Sequence, residues 1–281
     1  MFDAVSLQSI MDRISPPPVR SGEPGSLQKI RTARKPPNQL ISGHYNKKQG
    51  QVMAVFVLIH GAYQGGWIWN QVADRIRRQG HSVYTPTLDG CGERSSQLRA
   101  GITTETHGAE IASFLYHFDL HDVVLAGTSA GGMVMACAAE QARDRIKRLA
   151  FIDALALMNG EKIRDIVTRP ADINTEFGLG PSRKDAMERL MIDVEPKMRA
   201  WAADRFGLHP QLTFNQPVVL GDFWDQNWDA SVLYCNQAAN PGEAHIRRTA
   251  DKLNAKWHVL KTGHYPMLTM PDETAKIIVE G

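Results

Sequence analysis

Two short runs of this chain are apolar at almost every position, and they constrain its fold more than any other feature. They read MAVFVLIH at 53–60 and DVVLAG at 122–127, and β-branched residues are frequent in both. A strand with one face in water alternates apolar and polar residues, whereas a strand buried on both faces shows a continuous apolar run. The two runs therefore predict strands inside a parallel sheet that helices cover on both faces.

Beyond these two runs, predicted strands and predicted helices alternate along the chain with short loops between them. This rhythm is typical of βαβ units. The other predicted strands are 82–88, 148–154, 230–235 and 256–261, and the predicted helices are 68–79, 105–118, 130–142, 242–253 and 271–279. The order predicts an α/β fold with a mostly parallel central sheet flanked by helices.

Two regions interrupt this rhythm. Residues 1–50 contain three consecutive prolines at 16–18 and are rich in Pro, Gly, Lys and Arg, which predicts an N-terminal arm or linker. Residues 155–228 contain five prolines, and we expect a mostly helical or irregular cap there. The core is then predicted to consist of 51–154 and 229–281. For the arm, a partly ordered tail, a lid and a homodimer contact all stay open.

The charge balance argues against nucleic acid or an anionic membrane as the main partner, because 32 basic and 30 acidic residues leave a formal net charge of only +2. No apolar run is long enough to predict a membrane span. Three scattered cysteines and an N-terminus without a signal-peptide pattern favour a reducing compartment, so we expect a cytoplasmic protein. We expect no metal and no cofactor, because neither a metal-ligand spacing nor a nucleotide motif is present. A small-molecule substrate is the expected partner.

The segment GTSAG at 127–131 joins a predicted buried strand to an alanine-rich predicted helix and fits the pattern G-x-S-x-G. In this setting the serine lies on a strained strand-to-helix turn, and its hydroxyl projects from the sheet. The start of the following helix offers backbone N–H groups to a developing negative charge. Ser129 is therefore the predicted nucleophile, and Ala130 is predicted to supply an oxyanion-hole N–H. The alternative is a glycine-rich packing turn with a buried serine.

Two further segments are predicted to lie at the same sheet edge as the serine. The sequence His-Gly-Ala at 60–62 ends the first buried strand, so we expect the Ala62 N–H to be the second oxyanion-hole donor and His60 to fix the loop. The sequence GHYPM at 263–267 follows the last predicted strand. His264 is therefore predicted to be the general base that takes the serine proton and delivers it to the leaving group.

Four segments, in order along the chain, resemble the α/β-hydrolase superfamily: VLIHGAYQGGWIW, TPTLDGCGERS, DVVLAGTSAGGMV and GHYPMLTMP. Within it they are similar to the branch of plant methyl-salicylate-type esterases, hydroxynitrile lyases and related bacterial esterases, across about residues 53–280. The resemblance implies the α/β-hydrolase fold, with an eight-stranded, mostly parallel sheet, a helical cap insertion and acyl chemistry without a cofactor. It also argues against a lyase, because lyases of this branch carry a lysine directly after the histidine, where this chain has Tyr265.

The chain departs from the family at the acid of the catalytic triad. Relatives carry an aspartate shortly after the strand that corresponds to 230–235, and the equivalent residue here is Ala238. Asp153 ends the strand that follows the nucleophile strand, and a carboxylate there can bond the Nδ1–H of His264 and hold its tautomer. Asp153 is therefore the predicted triad acid, with a role in ordering the start of the cap as its alternative.

Two alternatives to Asp153 as the triad acid stay open from the sequence alone. The first is that Glu243, or an aspartate of the predicted cap such as Asp222 or Asp225, supplies the carboxylate. The second is that no acid completes the site, which leaves a Ser–His dyad, a slow enzyme or a protein that has lost hydrolysis. Loss of the triad carboxylate costs on the order of 10⁴ in rate, so the identity of the acid decides whether the site is fast.

Aromatic residues near the predicted oxyanion-hole loop and in the predicted cap suit an apolar or aromatic substrate. Tyr63, Trp67 and His209 are predicted to contact it, although many such residues belong to protein cores. The predicted activity is that of a carboxylesterase-like serine hydrolase, which cleaves an ester, thioester or amide of a small molecule through an acyl-enzyme. A hydroxynitrile-lyase-type or other non-hydrolytic reaction on the same fold, or a non-catalytic ligand-binding protein, is the alternative.

Overall fold

The computed structural model describes residues 53–167 and 171–281. The predicted N-terminal arm, 1–50, lies outside the described residues, as does its suggested role in a homodimer. Nine strands occur within the described ranges. In chain order they are β1 (Val55–Ile59), β2 (Ser82–Tyr84), β3 (Val123–Ser129), β4 (Ile146–Ala154), β5 (Ile173–Asn174), β6 (Gly178–Gly180), β7 (His209–Pro210), β8 (Ala230–Cys235) and β9 (Lys256–Leu260).

Six of these strands form the main sheet, in the order β2-β1-β3-β4-β8-β9. All five neighbouring pairs in this sheet are parallel. The predicted α/β class with a parallel sheet is therefore confirmed. The family resemblance implied eight strands, and the part of the chain that the structure describes supplies six of them.

Ten α-helices accompany the strands in the described part of the chain. They are α1 (Asn70–Arg78), α2 (Thr104–His117), α3 (Gly131–Gln141), α4 (Ile163–Ile166), α5 (Arg183–Asp185), α6 (Pro196–Ala203), α7 (Leu212–Asn215), α8 (Glu243–Leu253), α9 (Pro266–Thr269) and α10 (Pro271–Glu280). Four short 3₁₀ turns lie at Gly66–Trp69, Gly92–Gln97, Arg143–Arg145 and Phe223–Asp225, and a π turn at Ala186–Leu190 follows α5 directly. None of these described helices is long and apolar enough to cross a membrane.

Strand β1 shows why its sequence is apolar at every position. Phe56 and Leu58 belong to one buried cluster, whereas Val57 and Ile59 belong to a second cluster. Successive side chains of a strand point to opposite faces of its sheet, so both faces of β1 are covered. Burying each of these side chains stabilises the fold by about 1.5–3 kcal/mol.

Helix α3 packs tightly against the sheet because its side chains are small. All of its residues from Gly131 to Ala139 are buried, and five of these nine residues are Gly or Ala. A helix that is apolar all round belongs in a protein interior. The alanine-rich sequence after Ser129 therefore reflects the close approach of α3 to β3 and its neighbours.

Residues 155–228, which join β4 to β8, were predicted to be a mostly helical or irregular segment. They contain short helices, but also a second sheet of three antiparallel strands in the order β5-β6-β7. Each of these strands has only two or three residues, and they include glycine and proline. No alternation of apolar and polar residues can be recognised over so few positions.

Candidate active site

Ser129 is the last residue of β3 and lies in the left-handed backbone region, with a φ of +51°. A residue with a Cβ rarely adopts this conformation, and such strain is concentrated at functional sites. Helix α3 begins two residues later, at Gly131. The chain therefore turns sharply at the serine, as the pattern G-x-S-x-G predicts, and the half-buried Ser129 side chain reaches a pocket.

The glycines of this turn are required by close approach of the backbone. A Cβ placed on Gly127 would lie 2.7 Å from the carbonyl oxygen of Gly131, and one placed on Gly131 would lie 2.5 Å from that of His60. A Cβ on Gly61 would lie 2.7 Å from the Cβ of Ser129. Real Cβ atoms do not approach so closely, so the loop after β1 can lie against the serine only if residue 61 is a glycine.

The two predicted oxyanion-hole residues, Ala62 and Ala130, both line the Ser129 pocket. Neither backbone N–H donates a hydrogen bond to another residue in the ranges that the structure covers. Most buried N–H groups have a partner, so two free donors beside one pocket suit a ligand oxygen. The loop is held from behind, where the side-chain oxygen of Gln64 accepts the Gly61 N–H at 3.1 Å.

His60 fixes the same loop. It is fully buried, its Nε2 accepts the N–H of Leu88 at 3.0 Å, and its Nδ1 lies 2.8 Å from the carbonyl oxygen of Gly61. With Nε2 as the acceptor, Nδ1 carries the proton and donates to Gly61. Burial lowers the pKa of His60 to about 4, so the ring stays neutral at neutral pH. His60 thus has the contacts of a structural histidine.

His264 and Asp153 meet at the carboxyl ends of the strands. The Nδ1 of His264 lies 2.6 Å from one carboxylate oxygen of Asp153. The other oxygen of Asp153 accepts the backbone N–H of Cys235, the last residue of β8, at 3.0 Å. The Asp153 side chain is fully buried, while that of His264 is 21% exposed. The histidine therefore has one ring nitrogen held by a buried carboxylate.

Asp153 reaches this position through an irregularity in β4. Thr128 pairs with Ile152, but the next residue of β3, Ser129, pairs with Ala154. Asp153 is thus an extra residue opposite the serine turn, and it has a φ of +46°. Such bulges redirect a side chain, and they are frequent next to active sites. No pattern in the sequence of β4 predicts this irregularity.

The structure does not bring the other candidate carboxylates to His264. Glu243 begins α8, is exposed and pairs with Arg247 at 3.3 Å. Asp222 and Asp225 lie at exposed positions around a 3₁₀ turn. Among the described residues, none of these three forms a hydrogen bond with the histidine.

The pocket that contains Ser129, His264, Ala62 and Ala130 opens to solvent, and its volume of about 780 Å³ includes solvent space at the mouth. Its apolar lining includes Leu155, Ile163, Val167, Pro181, Leu190 and Phe214. Tyr63 also lines it and stacks on the ring of Phe214, with centroids 5.8 Å apart.

Trp67 and His209 are the two predicted substrate contacts that the structure does not bring to this pocket. Trp67 packs against Trp201, with ring centroids 5.3 Å apart. His209 is buried behind the ring of Tyr63, and its Nδ1 lies 3.3 Å from the Sγ of Cys91. Burial lowers its pKa well below the usual value for histidine. Both side chains are held by packing that the sequence alone does not show.

Two parts of the pocket lining carry no signal in the sequence. Asn240 and Pro241 come from the loop after β8, and Asp185 and Arg189 come from α5 and the π turn. The Asp-x-x-x-Arg spacing of 185 and 189 is common on solvent-exposed helices, so nothing along the chain marks this pair as part of a pocket. Within the described ranges, no group of three or more His, Cys, Asp or Glu side chains is arranged to hold a metal ion.

Comparisons with known proteins identify the family of this chain. A sequence model of the alpha/beta hydrolase family matches residues 56–277. The chain is 28% identical over 250 residues to a carbendazim hydrolyzing esterase of Nocardioides sp. (strain SG-4G), which covers 80% of this chain and 98% of that protein. It is 32% identical over 135 residues to methylesterase 17 of Arabidopsis thaliana, covering 45% of this chain and 49% of that relative.

Solved structures show the same fold. An extracellular alpha/beta-hydrolase from a Paenibacillus species superimposes with a TM-score of 0.72 at 23% identity, over 81% of this chain and 98% of that chain. The esterase and the solved structure are each covered along nearly their whole length, whereas the methylesterase is covered over about half.

Proposed function

This chain belongs to the alpha/beta hydrolase family as a carboxylesterase-like hydrolase, and on that premise we propose that it cleaves carboxylic esters through an acyl-enzyme on Ser129. The observation that carries the proposal is the 2.6 Å contact between His264 Nδ1 and the buried Asp153 carboxylate. This contact lies behind a pocket that Ser129 and His264 both line. The arrangement supports Ser129 as the nucleophile, His264 as the base and Asp153 as the acid.

In the first half of the reaction, Ser129 Oγ attacks the ester carbonyl carbon and passes its proton to Nε2 of His264. The carbonyl oxygen becomes negatively charged and accepts hydrogen bonds from the N–H groups of Ala62 and Ala130. Collapse of this intermediate breaks the bond to the leaving alkoxide, which takes the proton from His264. An alcohol leaves, and the acyl group stays on Ser129.

In the second half, a water molecule gives its proton to Nε2 of His264 and attacks the acyl carbon. The same two N–H groups stabilise the second negative intermediate, and the proton returns to Ser129 as the acid is released. Asp153 accepts the Nδ1–H throughout, which keeps Nε2 free to exchange protons. Such donors and the oriented base each contribute several powers of ten to the rate.

The pocket supports a small apolar or aromatic ester as the substrate, because most of its walls are aliphatic or aromatic side chains. Carbendazim, the compound in the name of one relative, is therefore a first candidate to assay beside simple methyl esters of aromatic acids. The case for a non-catalytic binding protein rests on the missing carboxylate after β8. Asp153 weakens that case, since a buried carboxylate does contact His264.

A fluorophosphonate probe tests the proposal directly. We expect covalent labelling of the wild-type protein, loss of labelling in Ser129→Ala, and hydrolysis of aromatic methyl esters that is lost in the same variant. Ser96→Ala is a matched control, because Ser96 lies in an exposed turn outside the pocket. A folded wild-type protein that neither reacts with the probe nor hydrolyses esters would overturn the proposal.

A further inference from the structure

An ion pair interrupts the apolar wall of the pocket on the side of residues 155–228. Arg189 donates from both Nε and Nη2 to the two carboxylate oxygens of Asp185, one turn earlier. Both residues line the same pocket as Ser129 and His264. They lie where α5 passes into the π turn at Ala186–Leu190, and π turns are frequent at functional sites.

The ion pair leaves part of the hydrogen-bonding capacity of both side chains unused. In the described part of the chain, Nη1 of Arg189 has no hydrogen-bond partner. The Arg189 side chain is 32% exposed, and that of Asp185 is 15% exposed. A guanidinium has five N–H donors, and a carboxylate has about four lone-pair sites, so two hydrogen bonds between them leave about three donors and two lone-pair sites unused.

Two phenols add to this polar part of the wall. Tyr63 and Tyr265 both line the pocket, and neither hydroxyl bonds to another residue among those described. Burial raises the pKa of Tyr63 to about 12, so its hydroxyl keeps its proton and remains a donor at neutral pH. We call these four polar lining residues of the pocket the polar wall (Tyr63, Asp185, Arg189 and Tyr265).

The charges of the polar wall select the kind of group that fits against it. Since Asp185 already compensates Arg189, a substrate carboxylate gains little there and meets a second negative charge. A purely apolar group would strip water from open N–H and O–H donors without replacing their hydrogen bonds. A neutral group with a carbonyl oxygen avoids both penalties, and an N–H beside that carbonyl finds an acceptor in Asp185.

We propose that the polar wall is a specificity site for a neutral amide- or carbamate-like group on the substrate, away from the ester bond that Ser129 attacks. This inference rests on the proposed esterase function. Removing a hydrogen-bond partner from a site built for it costs at least about tenfold in binding or rate, which sets the size of the expected preference.

Two esters of the same shape test the preference: methyl benzoate that carries an acetamido substituent, and methyl benzoate with isobutyl at the same position. We expect the wild-type kcat/KM to be at least about tenfold higher for the acetamido ester. In Arg189→Met this ratio should fall to about one. Arg183→Met is the matched control, because Arg183 lies on the same segment outside the pocket, where it pairs with Asp204.

Asp185→Asn provides a test with the opposite sign. It removes the carboxylate that pairs with Arg189, so the preference should shift toward a third methyl benzoate that carries a carboxylate at the same position. The inference is overturned if the acetamido-to-isobutyl ratio is the same in the wild type and Arg189→Met while both proteins are folded by circular dichroism.

Failure of the esterase proposal can be recognised separately. In that case neither ester is hydrolysed, and Ser129 is not labelled by the fluorophosphonate. Binding of acetanilide, measured by calorimetry, then tests the polar wall without catalysis. Binding that is about tenfold weaker in Arg189→Met than in Arg183→Met supports the inference, and equal binding by the two variants contradicts it.

Discussion

The carboxyl edge of the main sheet and the segment 155–228 that covers it supply different parts of the pocket. The edge carries Ser129, Asp153 and His264, on strand ends and the loops that follow them. The covering segment supplies side chains from helices and turns of only a few residues each and from the loops between them. Parallel strands hold backbone positions within narrow limits, whereas such short elements depend on side-chain packing. Under the proposed function, the reaction takes place at the sheet edge, and the covering segment contacts the variable part of the substrate.

Two glycines, one from each region, differ in how closely other atoms approach them. At the sheet edge, a Cβ on Gly61 would lie 2.7 Å from the Cβ of Ser129. On the covering segment, a Cβ on Gly207 would have no atom within 4 Å. A site that must hold reacting atoms to fractions of an ångström gains from the first kind of packing. A pocket wall that contacts the variable part of a substrate tolerates looser packing.

The largest effect that tests this comparison is expected from Asp153→Asn. Asparagine keeps an oxygen for the Cys235 N–H but lacks the charge that holds the His264 tautomer. We expect kcat for an aromatic methyl ester to fall on the order of 10⁴-fold. Glu243→Gln is the control, since that exposed carboxylate pairs with Arg247 instead. A loss of kcat in Glu243→Gln, with kcat retained in Asp153→Asn, would contradict the assignment of Asp153 as the acid.

Gly61→Ala is expected to have the next largest effect. The added methyl group meets the Ser129 side chain and the carbonyl of Thr128, so either the loop or the serine must shift. We expect kcat to fall by about 100-fold, the loss associated with misplacement by about 1 Å. Gly207→Ala should keep most activity, because its new methyl group enters open space. Equal activity of the two variants would contradict the expectation that close packing at Gly61 matters more for catalysis than packing at Gly207.

Acid pH is expected to lower the stability of the fold, because two buried histidines near the sheet edge are neutral in the folded state. Burial lowers the pKa of both His60 and His245 to about 4, below the value of about 6.5 in an unfolded chain. Between these values the unfolded chain binds more protons. Stability that is complete above pH 6.5 is therefore lost as the pH falls toward 4. At pH 5 the loss is roughly 2 kcal/mol for each histidine.

Urea unfolding at pH 7 and pH 5 measures this loss. His245→Gln removes one titrating group, while glutamine can still accept the Ala156 N–H that His245 accepts at 3.1 Å. The variant should lose about 2 kcal/mol less than the wild type between the two pH values. An unchanged difference would mean that His245 does not remain neutral in the fold at pH 5.

The smallest predicted effect concerns a contact between the two regions. Asp193, on the covering segment, accepts the N–H of Gly263 at 3.0 Å, directly before His264. Asp193→Ala leaves that N–H unpaired and loosens the histidine loop, so kcat should fall about tenfold with little change in KM. Asp204→Ala, which removes an exposed partner of Arg183, is the control. If kcat is unchanged, the covering segment does not support the base.

The order of elements was largely readable from the sequence, because each follows from a local pattern. The predicted strand 230–235 is β8 with the same bounds, and the predicted helix 105–118 differs from α2 by one residue at each end. The predicted strand 82–88 was too long, since β2 ends at Tyr84, before the ladder-breaking Pro86. The two- and three-residue strands β5 to β7 were missed because no period can be recognised over so few positions.

Local sequence determined the architecture and the positions of the candidate nucleophile and base, because burial on two sheet faces and a serine turn each leave a continuous pattern. Tertiary structure alone decided which carboxylate meets His264, since an irregular residue in β4 turns Asp153 toward a loop 111 positions away. It also decided that Asp185 and Arg189 face the pocket while His209 is hidden behind Tyr63. Such contacts depend on how distant segments of the chain pack against each other, and the spacing of residues along the chain does not predict this packing.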